Sequence, residues 1–233
     1  MAPSAIRLMI VDLDGTLIEV NSWQYLHERL GTWDRGRVHL ERYLAGEISY
    51  EEWAQLDAGL WRGVELGEVE RILSEAPVRR GAGLLIDALR ASGIRVGIVS
   101  AGLLPLARAL ADRFGMDFCL ANDLEARDGR LTGRAFVSVP LERKGEVMLR
   151  MCDSLGIPPW ECGSIGDSIH DFPPWMGLRI AVCGGGGLDS VDASIGDDLS
   201  EAIPYIIGPR SPMGERGRSS AFANPPAEFK RRR

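Results

Sequence analysis

Two aspartates, Asp12 and Asp14, sit in Asp12-Leu13-Asp14-Gly15-Thr16, directly after the apolar run Ile6 to Val11. At a two-residue spacing on an extended segment, both carboxylates project toward one side of a strand end. Such a pair can divide the labour of phosphoryl chemistry: one oxygen attacks phosphorus, and a second carboxyl of raised pKa serves as general acid and then base. Taken alone, the same five residues also read as an acidic turn.

Other residues bear on that choice. Ser100, in Ile98-Val99-Ser100-Ala101-Gly102, falls at the end of an apolar run, as do Asp167 and Asp171 in Gly166-Asp167-Ser168-Ile169-His170-Asp171. Ser100 is expected to cap the helix after it, with the amides of Ala101 and Gly102 facing a phosphate. Asp167 and Asp171, joined by Asp12, make an all-oxygen set that suits Mg²⁺ and not zinc. Lys144 stands out by composition, because 25 of the 27 basic residues are arginine and the lysines are Lys144 and Lys230. A compact ammonium fits beside a phosphoryl oxygen and a carboxylate where a guanidinium fork would not.

The elements that must carry these side chains alternate in type. Ile6 to Val11 reads as a buried strand, and from Gly81 onward strands and helices follow each other: a helix over Leu84 to Ser92, a strand over Ile94 to Val99, a helix over Leu103 to Phe114, a strand over Phe118 to Ala121. Asp128-Gly129 marks a hairpin. A helix over Lys144 to Leu155 and strands at Gly163 to Ile165 and Leu178 to Cys183 complete the series. This pattern predicts an α/β fold with a doubly wound parallel sheet and ligands at the carboxyl ends of its strands. Between the first strand and Gly81 lies an all-helical block. Ser22 leads one helix and the Ser49/Glu52 capping box starts another, so the block reads as an inserted cap. The expected division is residues 1–17 and 80–207 for the core, 18–79 for the cap and 208–233 for a disordered basic tail.

Composition narrows the classes. With 233 residues, 45% apolar and 26% charged, the chain is globular. Its net charge of −6 splits into an acidic body and a basic tail, which argues against broad nucleic-acid binding. No apolar run reaches membrane-span length and the N-terminus turns acidic at Asp12, so a cytoplasmic protein without membrane contact is expected. Cys119, Cys152, Cys162 and Cys183 lack a Cys-x-x-Cys pair and are expected to be reduced. The Gly184 to Gly187 run lacks a nucleotide fingerprint and reads as a loose turn.

Asp12 to Leu17, Ser100, Lys144 and Gly166-Asp167 with Asp171, in this order and βα context, resemble the four motifs of the haloacid dehalogenase superfamily. The segment Asn122 to Gly133 is similar to its phosphoserine phosphatase branch, which has a small helical cap. The resemblance implies that Asp12 is the nucleophile and Asp14 the acid and base. Ser100 and Lys144 would hold the transferring group, and Asp12, the Asp14 carbonyl, Asp167 and Asp171 would hold Mg²⁺. Thr16, Ala101 and Gly102 are expected on the phosphate side, and Asn21, Trp23, Asp57 and Arg62 beside the leaving group.

Two positions depart from that branch. Asn21 stands where a Glu typically meets the substrate amine, and Asp57 where an Arg typically meets its carboxylate. An acid at 57 would repel a carboxylate, which argues against phosphoserine as substrate unless Arg62 or another cap arginine takes over. His170 is read as a loop imidazole orienting the nearby acids. Trp23, Trp53 and Trp61 are expected to form the cap's own core, with substrate contact open to them. The function implied is a Mg²⁺-dependent phosphatase of a small phosphorylated metabolite. A phosphomutase with the same parts, or a non-catalytic phosphate-ligand binding protein, is the alternative.

Overall fold

The computed structural model describes residues 5–184 and 191–208. Its centre is strand β1, Leu8–Val11, buried along its whole length. Six further strands complete one sheet: β2 Arg95–Leu103, β3 Phe118–Arg127, β4 Arg130–Phe136, β5 Cys162–Gly166, β6 Leu178–Val182 and β7 Ala193–Ile195. Their order is β4-β3-β2-β1-β5-β6-β7, parallel throughout except for β4, which runs antiparallel to β3. Order and direction are those expected of an α/β doubly wound sheet.

Alternation along β1 explains why both sheet faces are covered. Met9 and Val11 join an apolar cluster with Leu85, Leu89, Leu106 and Leu110, from helices α5 (Ala82–Ala91) and α6 (Leu104–Phe114). Leu8 and Ile10 join a second cluster with Val147, Met148 and Cys152 of α7 (Lys144–Leu155). A parallel strand buried on both faces must be apolar at every position, and Leu-Met-Ile-Val satisfies this. A last short helix, α8, spans Ile203–Ile207.

Four helices stand between β1 and α5: α1 Ser22–Arg29, α2 Trp33–Leu44, α3 Tyr50–Leu60 and α4 Leu66–Ser74. The Ser49/Glu52 capping box opens α3 as its residue types require. The chain crosses to and from this block side by side, with an antiparallel bridge between Ile18 and Val78. Glu19 N donates to Pro77 O at 3.0 Å, and Arg79 N to Leu17 O at 2.9 Å.

Several elements differ from expectation. Helix α2 has no counterpart in the sequence reading, because its residues are mostly polar and solvated and the one it buries is Gly36. Strand β2 runs on through Ser100 to Leu103, so Ser100 lies within an irregular strand end and does not cap α6, whose N-cap is Leu103. Strand β3 continues to Arg127, and the hairpin at Asp128-Gly129 forms as read, with both residues at positive φ (52° and 75°) as a two-residue turn demands. Most of the Gly184 to Gly187 run and the tail beyond 208 lie outside the described residues. No helix among the described residues is long and apolar enough to cross a membrane. The four cysteines are free.

Candidate active site

The sheet register brings the chemistry-bearing residues to one edge. Val11 is level with Ile98 on β2 and with Ile165 on β5. Asp12, one residue beyond Val11, and Ser100 and Asp167, two beyond Ile98 and Ile165, therefore come to the same edge of the sheet. Beyond Asp12 the chain does not stay extended. It folds into a tight loop over Leu13–Leu17, closed by Leu17 N to Asp12 O (3.3 Å) and Ile18 N to Leu13 O (3.0 Å), in which Gly15 has φ +72°. A Cβ on Gly15 would lie 2.1 Å from Asp167 Oδ2, so glycine is required both for the turn and for the carboxylate to approach it.

Lys144, the first residue of α7, is 2% exposed, and its ammonium lies between two carboxylates. Nζ bonds Asp12 Oδ1 and sits 2.5 Å from Asp171 Oδ1. Burial opposes the charged form of Lys144, but Asp12 and Asp171 together hold it well above the usual lysine range. The other oxygen of Asp171 accepts from the amides of Asp167 and Ser168, at 3.1 and 2.9 Å, and from Ser168 Oγ at 3.0 Å. Ser168 and main-chain amides thus orient the acids, and His170, read as doing so, is not among their partners.

Asp12, Asp167 and Asp171 each present a carboxylate oxygen, and these lie within 4.8 Å of one another. Burial raises Asp12 above the ordinary carboxylate range even though Lys144 pulls it down. Asp167 is raised for the same reason, with Asp171 adding to it. Crowded, partly desolvated carboxylates facing one point are a donor set that a hard divalent cation would satisfy.

Asp14 has a different environment. Its Oδ2 accepts from Ser22 Oγ at 2.9 Å, while Oδ1 is buried without a hydrogen-bond partner. Burial pushes its pKa up to about 7, against the Ser22 hydrogen bond. Ser22 Oγ in turn accepts from Leu103 N at 3.0 Å. Gly102 permits this arrangement, since a Cβ there would lie 2.7 Å from Asp14 Oδ1 and 2.8 Å from Ser22 Oγ.

Two further residues shape the phosphate side. Arg79, buried, donates from Nε to Thr16 O at 2.8 Å and from Nη2 to Gly15 O at 2.7 Å, fastening the turn after Asp12. The Ala101 carbonyl accepts from Trp23 Nε1 (3.1 Å), Tyr50 Oη (2.5 Å) and Asn122 Nδ2 (2.8 Å). Ser22, Arg79 and Tyr50 were absent from the sequence-based site. A signal for Arg79 was its position where the chain re-enters the core, but its contacts are tertiary.

Asp12, Asp14, Ser100, Ala101, Gly102, Lys144 and Asp167 line a cavity of about 420 Å³. Asn21, Trp23 and Asp57 line it from the helical side, together with Tyr43, Tyr50 and Trp53. Two expectations need correction, and two residues that do reach the cavity have side chains already engaged. Thr16 is fully buried and does not line the cavity, so it supports the turn from behind. Arg62 is exposed, packs beside Gly133 of β4 and is also absent from the lining. Asn21 reaches the cavity, but its Oδ1 caps α1 by accepting from Gln24 N at 3.0 Å. Asp57 is only 1% exposed, with Oδ1 2.7 Å from His39 Nδ1 and Oδ2 3.1 Å from His27 Nε2. Its charge serves three helices before it serves any ligand.

Residues 9–174 match the family model described as haloacid dehalogenase-like hydrolase. The chain is 32% identical over 168 residues to a phosphoserine phosphatase of Streptomyces coelicolor, covering 71% of this chain and 41% of that protein. It is 30% identical over 166 residues to that of Archaeoglobus fulgidus, covering 71% and 48%. A third, from Polaromonas sp., is 30% identical over 188 residues, covering 76% and 79%. The chain thus spans under half the length of the first two of these relatives. A solved phospho-aspartyl intermediate analogue of phosphoserine phosphatase superposes with a TM-score of 0.75 at 25% identity, over 87% of this chain and 100% of that one. A hydrolase from Salmonella enterica has a TM-score of 0.80 at 18% identity, over 88% and 72%, a likeness of fold alone. By fold, by ordered motifs and by these matches, the chain belongs to the haloacid dehalogenase-like hydrolase family, in its phosphoserine phosphatase-like branch.

Proposed function

We propose that the chain is a Mg²⁺-dependent phosphatase that hydrolyses a small-molecule phosphomonoester other than phosphoserine, through an aspartyl-phosphate on Asp12. The observation that carries this reading is the pairing of Asp12 with Lys144 beside a second buried carboxyl, Asp14, which has no cation on it among the described residues, accepts from Ser22 Oγ and keeps one oxygen unpartnered. Asp12 is the nucleophile because its carboxylate is held and oriented by the ammonium. Asp14, pushed up to about 7, keeps a proton for the leaving oxygen and later takes one from water. Ser100, whose Oγ accepts from Gly102 N at 3.1 Å, presents its hydroxyl to the transferring group from β2.

Asp12, Asp167 and Asp171 would hold Mg²⁺, with the main-chain carbonyl of Asp14 as a further oxygen. Bound there, the ion offsets the negative charge that a phosphate dianion brings to a carboxylate nucleophile. Lys144 supplies the protein's own share of that neutralisation. Helices α1–α4 act as a cap over the cavity, hinged at the paired segments around Ile18 and Val78.

Phosphate release from a panel of metabolite phosphomonoesters, with Mg²⁺ and with chelator, tests the reading. Turnover should require the metal and vanish in Asp12→Asn, and fluoroberyllate should occupy Asp12 in the native protein. Undiminished turnover by Asp12→Asn would refute it.

A further inference from the structure

The leaving-group side of the cavity shows what kind of alcohol it accepts. Its walls are aromatic: Trp23, Trp33, Tyr43 and Trp53 line it, and Trp23 lies 4.9 Å from Trp53, centroid to centroid, with Tyr43 stacked on Trp53 at 5.8 Å. A volume of about 420 Å³ lies within the range of small-molecule sites and leaves room for a ring beside the phosphoryl group.

The carboxylate of Asp57 and the carbonyl and amide oxygens of that wall already have partners within the protein. Asp57 is held by His27 and His39, the Ala101 carbonyl accepts three donors, and Asn21 Oδ1 is committed to the cap of α1. Glu19, the remaining acid, is exposed to solvent at the margin, where an opposite charge is weakly held. The unpartnered buried carboxylate oxygen of the cavity, Asp14 Oδ1, belongs to the phosphoryl end, so a substrate ammonium beside the rings would meet the buried Trp53 Nε1, itself a donor without a partner. A substrate carboxylate could accept from Trp53 Nε1 but would find no free lysine or arginine to balance its charge. Among the described lining residues the cation is Lys144, and it is bound to Asp12 and Asp171 at the phosphate end. A charge buried without a partner is expelled, whereas a flat apolar group gains both burial and ring contacts.

We infer that the substrate is the phosphomonoester of an uncharged aromatic alcohol, bearing neither carboxylate nor ammonium, a specificity that rests on the phosphatase reading above. The aromatic ring lies against Trp23 and Trp53, and the phosphoryl group reaches Asp12.

Benzyl phosphate, O-phospho-L-serine and O-phosphoethanolamine, each assayed with Mg²⁺ and the full chain, test it. Benzyl phosphate should show a kcat/KM higher by about 100-fold or more, the scale on which sites discriminate by unpaired polar groups. In Asp12→Asn, benzyl phosphate should change the tryptophan emission saturably, and phosphoserine should not at equal concentration. Equal or better turnover of phosphoserine or phosphoethanolamine overturns the specificity and leaves the phosphatase intact. Failure of every ester, together with no fluoroberyllate adduct on Asp12, removes the phosphatase reading and this inference with it.

Discussion

Ser22 Oγ stands between Leu103 N and Asp14 Oδ2, at 3.0 and 2.9 Å, and so ties the first turn of α1 to the carboxyl proposed as acid and base. The hydroxyl favours the ionised form of Asp14 while burial opposes it. Ser22→Ala should therefore move the alkaline limb of the kcat profile to higher pH and lower kcat by roughly tenfold, within the range of general acid–base contributions. A pH–rate profile of the variant is the check, and a limb that moves down would contradict the assignment.

Asp14 also makes stability depend on pH. Its pKa in the folded protein is about 7, against an unfolded value of 3.8, so folding favours the protonated form. That contribution is present in full below 3.8 and is lost as pH rises through about 7. Asp14→Asn, which cannot ionise, should gain on the native protein between pH 5 and pH 8 by at least about 1 kcal/mol, one pKa unit being worth about 1.4. Urea denaturation in chelator at the two pH values measures this.

Lys144 has the opposite role, since two buried carboxylates depend on it. Lys144→Met leaves Asp12 and Asp171 facing each other unpaired, which should cost about 3–5 kcal/mol at neutral pH, as for other broken buried pairs. The deficit should shrink as pH falls toward 4, because burial already favours the neutral form of Asp12 in the folded chain and the unfolded chain takes up that proton only near 3.8. Equilibrium denaturation against pH checks both statements, and phosphate release should fall to background.

Arg79 holds the carbonyls of Gly15 and Thr16 with two separate nitrogens, a fork that lysine does not reproduce. Arg79→Lys should lower kcat by about tenfold, because a small displacement of a catalytic turn costs rate before it costs affinity. KM should stay within about threefold of native, on the same argument. A rise in KM with unchanged kcat would place Arg79 in substrate binding instead.

What could be read in advance follows from how local each signal is. Asp12, Asp14, Lys144, Asp167 and Asp171 announce themselves because carboxylates and a solitary lysine at strand and helix ends have few other uses, and a parallel sheet gathers such ends. The Asp128-Gly129 turn is legible for a similar reason, being decided by two adjacent residues. Ser22 and Arg79 are not, because Ser22 meets Asp14, eight residues away, only where Leu103 N, 81 residues away, also holds it, and Arg79 finds Thr16 O 63 residues away. Asp57 was misjudged on the same ground: nothing near it announces that His27 and His39, from two other helices, converge on its oxygens.

The Ala101 carbonyl is held from two bodies at once, by Trp23 and Tyr50 of the inserted helices and by Asn122 of the sheet. Asn122 is itself anchored, its Oδ1 receiving the amides of Ser138 and Val139 at 2.9 Å each. Were the helices to swing outward as proposed, two of the three donors would depart and one would stay behind. The surface proposed to receive the phosphoryl group would then keep its contour through each opening, and each closure would restore a latch without rebuilding the bed beneath it.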